Sequence, residues 1–141
     1  MSEVQIVFGV LLLGVAGFIY LAVMVNKQKK EHLDKLKSEG FEVEHFMKGV
    51  TANIAVDTTN QAIAFIFANS VNKVNFEDVI SWKHTYVERN KTVNGRNRHT
   101  LEDNVLQFTV KDSHNPLIKV SISNYDIGEE WIARFSAILN G

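Results

Sequence analysis

The longest uninterrupted apolar stretch of the chain covers residues 4–25. It contains no charged side chain, and Gln5 is its only strongly polar residue. A helix rises about 1.5 Å per residue, so roughly 20 apolar residues are enough to span the ~30 Å hydrocarbon core of a bilayer. The pattern therefore predicts that residues 1–25 form a transmembrane anchor.

Two other interpretations of this stretch fit less well. A cleaved signal peptide needs a basic segment ahead of a shorter apolar core, whereas the residues here are Met-Ser-Glu. A buried helix of a globular protein would need the rest of the chain wrapped around it. The rest of the chain has an apolar pattern of its own, so the membrane interpretation is preferred.

Basic side chains lie on one flank of this stretch only. Lys27, Lys29 and Lys30 follow it closely, and no lysine or arginine precedes it. Lysine and arginine beside a transmembrane helix remain on the cytoplasmic side. We therefore expect a single-pass protein of the cell (inner) membrane, with its N-terminus outside and the rest of the chain in the cytoplasm. The three lysines would then form a basic flank against the anionic membrane surface.

Residues 26–40 are rich in good helix formers, with no glycine or proline before Gly40. The membrane helix is therefore expected to continue through this segment. Leu33 and Leu36 are its only large apolar residues, too few to bury much surface by themselves. The pattern predicts a basic, solvated helical stalk that ends at Gly40.

From residue 41 the pattern changes to short alternating runs rich in β-branched and aromatic residues. Such runs, separated by turn residues, are typical of antiparallel strands. One separator is Asn94-Gly95, the dipeptide that favours a tight hairpin turn because both central residues adopt positive φ. The predicted strands cover residues 41–48, 52–57, 62–68, 73–76, 79–89, 98–111 and 117–122.

The last segment has the pattern of an amphipathic helix. Asp126 followed by Glu129 predicts its start, and Asn140-Gly141 predicts its end. Between them the apolar residues recur at helical spacing and form one stripe. Seven strands followed by one helix predict an α+β domain over residues 41–141, in which a bent sheet or barrel is capped by the C-terminal helix. The stripe consists of Ile127, Trp131, Phe135, Ile138 and Leu139.

Composition and motifs argue against several classes of function. The chain has 15 basic and 16 acidic side chains and no cysteine, so it lacks the strong positive field typical of nucleic-acid-binding proteins. It also lacks the nucleotide-binding, hydrolase and zinc-protease motifs. Its five histidines are scattered along the sequence. We therefore expect no enzymatic activity, no cofactor and no metal.

Basic residues cluster around the Asn94-Gly95 turn. Guanidinium groups bind phosphates and carboxylates bidentately, so this cluster is the candidate contact for an anionic headgroup or a partner. The alternative is that an exposed hairpin tip is charged for solubility alone. The cluster consists of Arg89, Lys91, Arg96, Arg98 and His99.

Trp82, His84 and Tyr86 alternate along the predicted strand at residues 79–89. Side chains two residues apart lie on the same face of a strand. The aromatic residues of this face are expected to fill the core of the sheet, because aromatic side chains dominate core burial.

The layout of residues 41–141 resembles that of pleckstrin-homology-like domains, in which about seven antiparallel strands are closed by one amphipathic helix. The phrases NFEDVISWKHTY, KDSHNPLIKVSI and EEWIARFSAILN are also similar to those of small uncharacterised bacterial membrane-anchored proteins that carry such a domain. The resemblance implies a binding or scaffolding module and specifies no ligand. Phosphoinositide-binding members carry basic residues in the loop between their first two strands, whereas residues 49–53 have only Lys48 at their edge.

The sequence thus predicts a membrane-anchored binding or scaffolding module that holds a protein partner at the inner face of the bilayer. One alternative is a sensor of anionic lipids that uses the basic hairpin. The other is a homo-oligomer, formed through the glycines of the apolar helix or through sheet edges.

Overall fold

The computed structural model describes the backbone of residues 3–140 and the side chains of residues 17–140. In that part of the chain, helix α1 (Glu3–Ser38) precedes seven strands, and helix α2 (Tyr125–Asn140) follows them. A single 3-10 turn, Phe76–Asp78, lies between the fourth and fifth strands. The strands are β1 (His45–Lys48), β2 (Ala52–Asp57), β3 (Ala62–Phe67), β4 (Val71–Asn75), β5 (Val79–Val93), β6 (Arg96–Val110) and β7 (Leu117–Ser121).

The strands form two antiparallel sheets, each following the order of the chain. Sheet A has the order β1-β2-β3-β4, and sheet B has the order β5-β6-β7. The predicted α+β class, with antiparallel strands and a C-terminal helix, is therefore confirmed. The strands are divided between a sheet of four and a sheet of three.

The core lies between the two sheets and is closed by α2. Alternation along the strands turns Ile54 and Phe65 of sheet A toward Phe108 of sheet B, and all three are completely buried. Phe135 of α2 joins them. The ring centroids of Phe65 and Phe108 are 4.9 Å apart, and those of Phe108 and Phe135 are 5.0 Å apart, both in edge contact.

The capping residue of helix α2 lies two residues earlier than its sequence pattern predicts. The side-chain Oδ1 of Asn124 accepts a hydrogen bond from the backbone N–H of Ile127 at 2.9 Å. Asn124 is therefore the capping residue, and Asp126 lies inside the first turn. An acidic side chain there is still favourable, because it faces the positive end of the helix dipole.

The C-terminal part of α1 packs on the outer face of sheet A. Leu36 is 6% exposed and shares a buried cluster with the small residues Ala55, Ala62 and Ala64. Because these alanines leave room for a close approach, few large apolar residues on the helix are needed. The predicted solvated stalk is thus corrected over this part of α1, which lies against the sheet.

Polar contacts fix α1 at the same face. Lys29 Nζ donates to the Val50 carbonyl at 3.4 Å, and His32 Nε2 lies 3.2 Å from the Ala68 carbonyl. These carbonyls belong to the β1–β2 and β3–β4 connections. Burial, and then the charge of Lys48, lower the pKa of the Lys29 ammonium.

Gly40 ends α1 as the sequence predicts. Its φ of 97° is left-handed, a conformation that glycine adopts without steric penalty. The Phe41 N–H then donates to the Leu36 carbonyl at 3.0 Å, and the Gly40 N–H donates to the Lys37 carbonyl at 3.2 Å. This pair of bonds is the Schellman ending, and its usual apolar contact is made by Phe41 and Leu36.

The predicted location in the cell membrane, with an external N-terminus and a cytoplasmic domain, is contradicted. Within the described residues, no helix combines the length and the apolar character that crossing a membrane requires. The continuous run of apolar side chains that the structure describes in α1 ends at Val25 and is followed by Lys27 and Lys30. Residues 4–16 make up most of the predicted anchor, and their side chains lie outside the part of the chain that the structure describes.

We expect Ala64→Leu to destabilise the protein by about 1–3 kcal/mol, because Ala64 is completely buried beneath α1 and a larger side chain overfills the contact. Urea unfolding of the purified variant would measure this difference. Ala137→Leu is the matched control, since Ala137 is exposed on α2 and such changes stay within about 0.5 kcal/mol. Equal stability of the two variants would show that α1 does not pack closely on sheet A.

Candidate functional site

The β5–β6 hairpin extends beyond the rest of sheet B. Strand β7 pairs with β6 only from Val105 to Thr109, whereas β5 and β6 remain paired as far as Val93 and Arg96. All residues from 86 to 99 are exposed. Asn94 and Gly95 close the tip with φ angles of 54° and 74°, which confirms the predicted turn.

The register separates the side chains of this hairpin onto two faces. Lys91 lies directly opposite Arg98, and Val93 lies directly opposite Arg96. Residues opposite each other, and residues two apart along a strand, share a face. Arg89 therefore lies on the same face as these basic residues. We call the face that carries Arg89, Lys91, Arg96 and Arg98 the basic face.

His99 does not belong to the basic face. It lies opposite Asn90, and its Nδ1 is 2.8 Å from the Asn90 Oδ1. The structure thus brings together four of the five residues that the sequence groups around the turn. The predicted basic flank is separate and is itself divided, because Lys27 and Lys30 are exposed whereas Lys29 is buried against sheet A.

Acidic residues neutralise the basic face nearest the body of the protein. Arg89 contacts Glu102 at 3.0 Å and Asp103 at 3.1 Å, and Lys91 contacts Glu102 at 2.8 Å. The hydrogen bond from Lys91, together with one from Thr100, lowers the pKa of the Glu102 carboxyl. These pairs are exposed, so each contributes about 0–1 kcal/mol to stability.

Uncompensated charge is concentrated at the tip. Among the described residues, neither Arg96 nor Arg98 forms an ion pair. Lys91 and Arg98 are directly opposite each other, an arrangement that is unfavourable for two like charges. The tip therefore presents a positive surface for which the described residues provide no acidic partner.

A β-bulge marks the base of the extended hairpin. The register shifts between Thr85 and Val87, so that Tyr86 lies opposite both Asp103 and Asn104. Asp103 adopts a φ of 53°, which is uncommon for a residue other than glycine. Bulges bend and twist a strand pair, and this one lies where the hairpin leaves the three-stranded sheet.

His84 lies just inside this bulge and connects β5, β6 and α2. Its side chain is 2% exposed. The Nδ1 atom lies 2.9 Å from the Glu129 Oε1, and the Nε2 atom lies 2.9 Å from the Asn104 Oδ1. The Asn104 amide is itself oriented by donating to the Leu101 carbonyl at 3.1 Å.

Aromatic rings and a glycine enclose His84. Its ring centroid is 5.4 Å from that of Tyr86 and 5.2 Å from that of Tyr125. A Cβ atom placed on Gly128 would lie 2.5 Å from the imidazole. Glycine is therefore needed at this position of α2 for the helix to approach the histidine so closely.

Trp82 occupies the same strand face nearer the core. It is partly buried against the central cluster, and its Nε1 donates to the Ser136 Oγ of α2 at 3.0 Å. The predicted aromatic face of β5 is thus covered by α2 at Trp82, while Tyr86 remains 37% exposed at the hairpin base.

Three carboxylates form the one group with metal-ligand proximity in the described part of the chain, with ligand atoms of Glu42, Glu44 and Asp57 within 4.8 Å of one another. Protein donors already engage two of them, Glu44 through Thr58 and Thr59, and Asp57. Burial would raise the pKa of Asp57, but hydrogen bonds from Asn60 and from the Glu42 backbone lower it on balance. These contacts order the β2–β3 turn.

The sequence predicted the cluster around the turn but not the role of its neighbours. Glu102 and Asp103 lie outside the basic run, and the contacts of His84 join residues far apart in the chain. Comparison of the chain with protein-family models, with curated proteins and with solved structures gave no match.

We expect Gly128→Ala to destabilise the fold by about 1–3 kcal/mol, because the added methyl group overlaps the His84 ring. Alanine would otherwise favour a helix over glycine by about 1 kcal/mol. Denaturant unfolding would measure the loss. Gly17→Ala is the control, since nothing lies within 4 Å of the added atom in α1.

A double-mutant cycle tests the cause of that loss. In a His84→Ala background, Gly128→Ala should lower the free energy of unfolding much less, because the ring that the added methyl group overlaps is absent. If the two substitutions changed the free energy of unfolding in a strictly additive way, close packing between His84 and α2 would be contradicted.

Proposed function

We propose that this chain is a non-enzymatic binding module whose basic face binds an acidic segment of a protein partner. The observation that carries the proposal is the unsatisfied positive charge at the tip of the β5–β6 hairpin. Arg96 and Arg98 have no acidic partner in the described part of the chain, and Lys91 lies directly opposite Arg98. An acidic segment would relieve this repulsion while pairing with both arginines.

The shape of the hairpin supports the same proposal. Its outer part is a two-stranded ribbon with both edges free of further strands in the described residues. It is therefore accessible from both sides to an extended segment. The basic face carries four positive side chains, against the carboxylates of Glu102 and Asp103 near its base. Its net charge is opposite in sign to that of the whole chain, which is −1.

Arginine is well suited to recognising carboxylates. Its planar guanidinium group presents several donors in a fixed arrangement and forms paired hydrogen bonds with one carboxylate. The two tip arginines follow each other at alternate positions of β6, so both project from one face. Glutamates or aspartates at alternate positions of an extended segment have the same spacing, and such a segment would match this face.

The resemblance to pleckstrin-homology-like domains forms part of this proposal. A four-stranded sheet, a three-stranded sheet and a closing C-terminal helix in that order are consistent with it. In this proposal the ligand is bound by the extended β5–β6 hairpin. The β1–β2 connection, where phosphoinositide-binding members carry their basic residues, is occupied here by contacts with Lys29 of α1.

We expect Arg96→Glu/Arg98→Glu to weaken binding of a fluorescently labelled oligoglutamate peptide by about tenfold or more, equivalent to about 1.4 kcal/mol. The reversed charges would repel the peptide carboxylates. Fluorescence anisotropy would measure the affinity, and raising the salt concentration should weaken binding by the unmodified protein because exposed charges are screened.

Lys83→Glu/Lys119→Glu is the matched control, because it changes the net charge equally at exposed positions in the three-stranded part of sheet B, far from the hairpin tip. It should leave the affinity within about twofold of the original, since charges beyond a Debye length of roughly 8 Å are screened. The proposal would be contradicted if the two double variants lost affinity for oligoglutamate equally. It would also be contradicted if the unmodified protein bound oligoglutamine as tightly as oligoglutamate. Binding to vesicles of anionic lipid without binding to the peptide would replace it by lipid recognition.

A further inference from the structure

Both ring nitrogens of His84 face hydrogen-bond acceptors. Nδ1 is 2.9 Å from the Glu129 Oε1, and Nε2 is 2.9 Å from the Asn104 Oδ1. An ionised carboxylate only accepts hydrogen bonds. The Asn104 amide cannot turn over without losing the bond that its Nδ2 donates to the Leu101 carbonyl at 3.1 Å. Both of these positions therefore need an N–H on the imidazole.

A neutral imidazole carries one N–H, and an imidazolium carries two. We infer that these two contacts form together only with an imidazolium at His84 and so act as a proton-dependent latch between α2 and the base of the β5–β6 hairpin. Glu129 is the latch residue on α2, and Asn104 is the latch residue on the β6 bulge. This inference does not rest on the proposed function, since it concerns the chain without a partner.

Loss of one proton from His84 leaves one of its two hydrogen bonds without a donor. The remaining N–H satisfies either Glu129 or Asn104, and the other nitrogen then faces an acceptor at the same short distance. The His84 side chain is 2% exposed and that of Glu129 is 52% exposed, so water solvates the freed carboxylate but does not readily reach the ring nitrogens. One of the two contacts must open, which loosens either α2 or the β6 bulge from β5.

Two tyrosines, one on β5 and one on α2, are further titratable groups beside the His84 ring. Tyr86 projects from β5, and Tyr125 projects from α2 beside Asp126. Burial, and then the charge of Glu129, raise the pKa of Tyr125, so its hydroxyl stays neutral over the range in which histidine titrates. Asp103 next to the bulge is engaged by Arg89.

The direction of the pH effect follows from these contacts. Both hydrogen bonds are present at acidic pH, where the ring carries two protons. The stabilisation that they provide is lost as the pH rises and the ring gives up one proton. Tyr125 remains neutral through this change, and Glu129 is the acidic group in direct contact with the ring.

Nuclear magnetic resonance of the full chain tests the latch. The nitrogen signals of the His84 ring should show a proton on both nitrogens at mildly acidic pH and on one nitrogen at higher pH. Amide exchange over residues 101–104 and 124–129 should accelerate by about tenfold across the same change, beyond the general effect of pH on exchange, as expected for local opening. Amides of the β2–β3 pair serve as the internal reference.

Glu129→Gln separates the latch from a general effect of pH. The glutamine amide can donate to Nδ1, so a neutral ring would satisfy both neighbours, and the pH dependence of exchange should disappear. Glu130→Gln is the matched control, because Glu130 pairs with Arg134 and lies away from His84; it should retain the pH dependence. A single protonated ring nitrogen at every pH in the folded protein, or an unchanged pH response in Glu129→Gln, would overturn the inference.

Discussion

The contact among three buried phenylalanine rings determines how the layers of this protein are assembled. Phe65 comes from sheet A, Phe108 from sheet B and Phe135 from α2, and each is completely buried. In the described residues, no hydrogen-bonded ladder joins the two sheets. Val50 and Thr51 of the β1–β2 connection form hydrogen bonds with Ser121 of β7, and side-chain packing does the rest of the positioning. Edge contacts at 4.9 and 5.0 Å link all three layers, and aromatic rings of this size provide much of the buried apolar surface.

The sequence predicted those elements whose signals are local. Strand β2 was predicted with the bounds that it has, because its alternating pattern is cut by polar residues at its C-terminal end. The Asn94-Gly95 turn was predicted because few other residue pairs accept two positive φ angles. The strands that it joins are longer than predicted, since their polar outer parts lack the apolar alternation from which strands are recognised.

The features that the sequence did not predict depend on contacts between distant residues. Leu36 looked isolated on a polar helix, and only the sheet shows that Ala55 and Ala64 form a shallow surface to receive it. Alanine carries little hydrophobic signal, although it permits the closest packing. The division of the basic cluster into two faces likewise required the register, which places His99 opposite Asn90. The positive φ of Asp103 has no sequence signal, because aspartate is not a residue that requires it.

The extended hairpin needs support from its base. An isolated two-stranded ribbon is marginally stable in water, and its exposed ion pairs contribute little. Lys91 and Arg98 also repel each other across the ribbon. Its order must therefore come from the region where β5 and β6 meet α2, through the buried contacts of Trp82 and His84. The two elements of the protein with the most distinctive chemistry, the basic face and the enclosed histidine, are in this way adjacent parts of one hairpin.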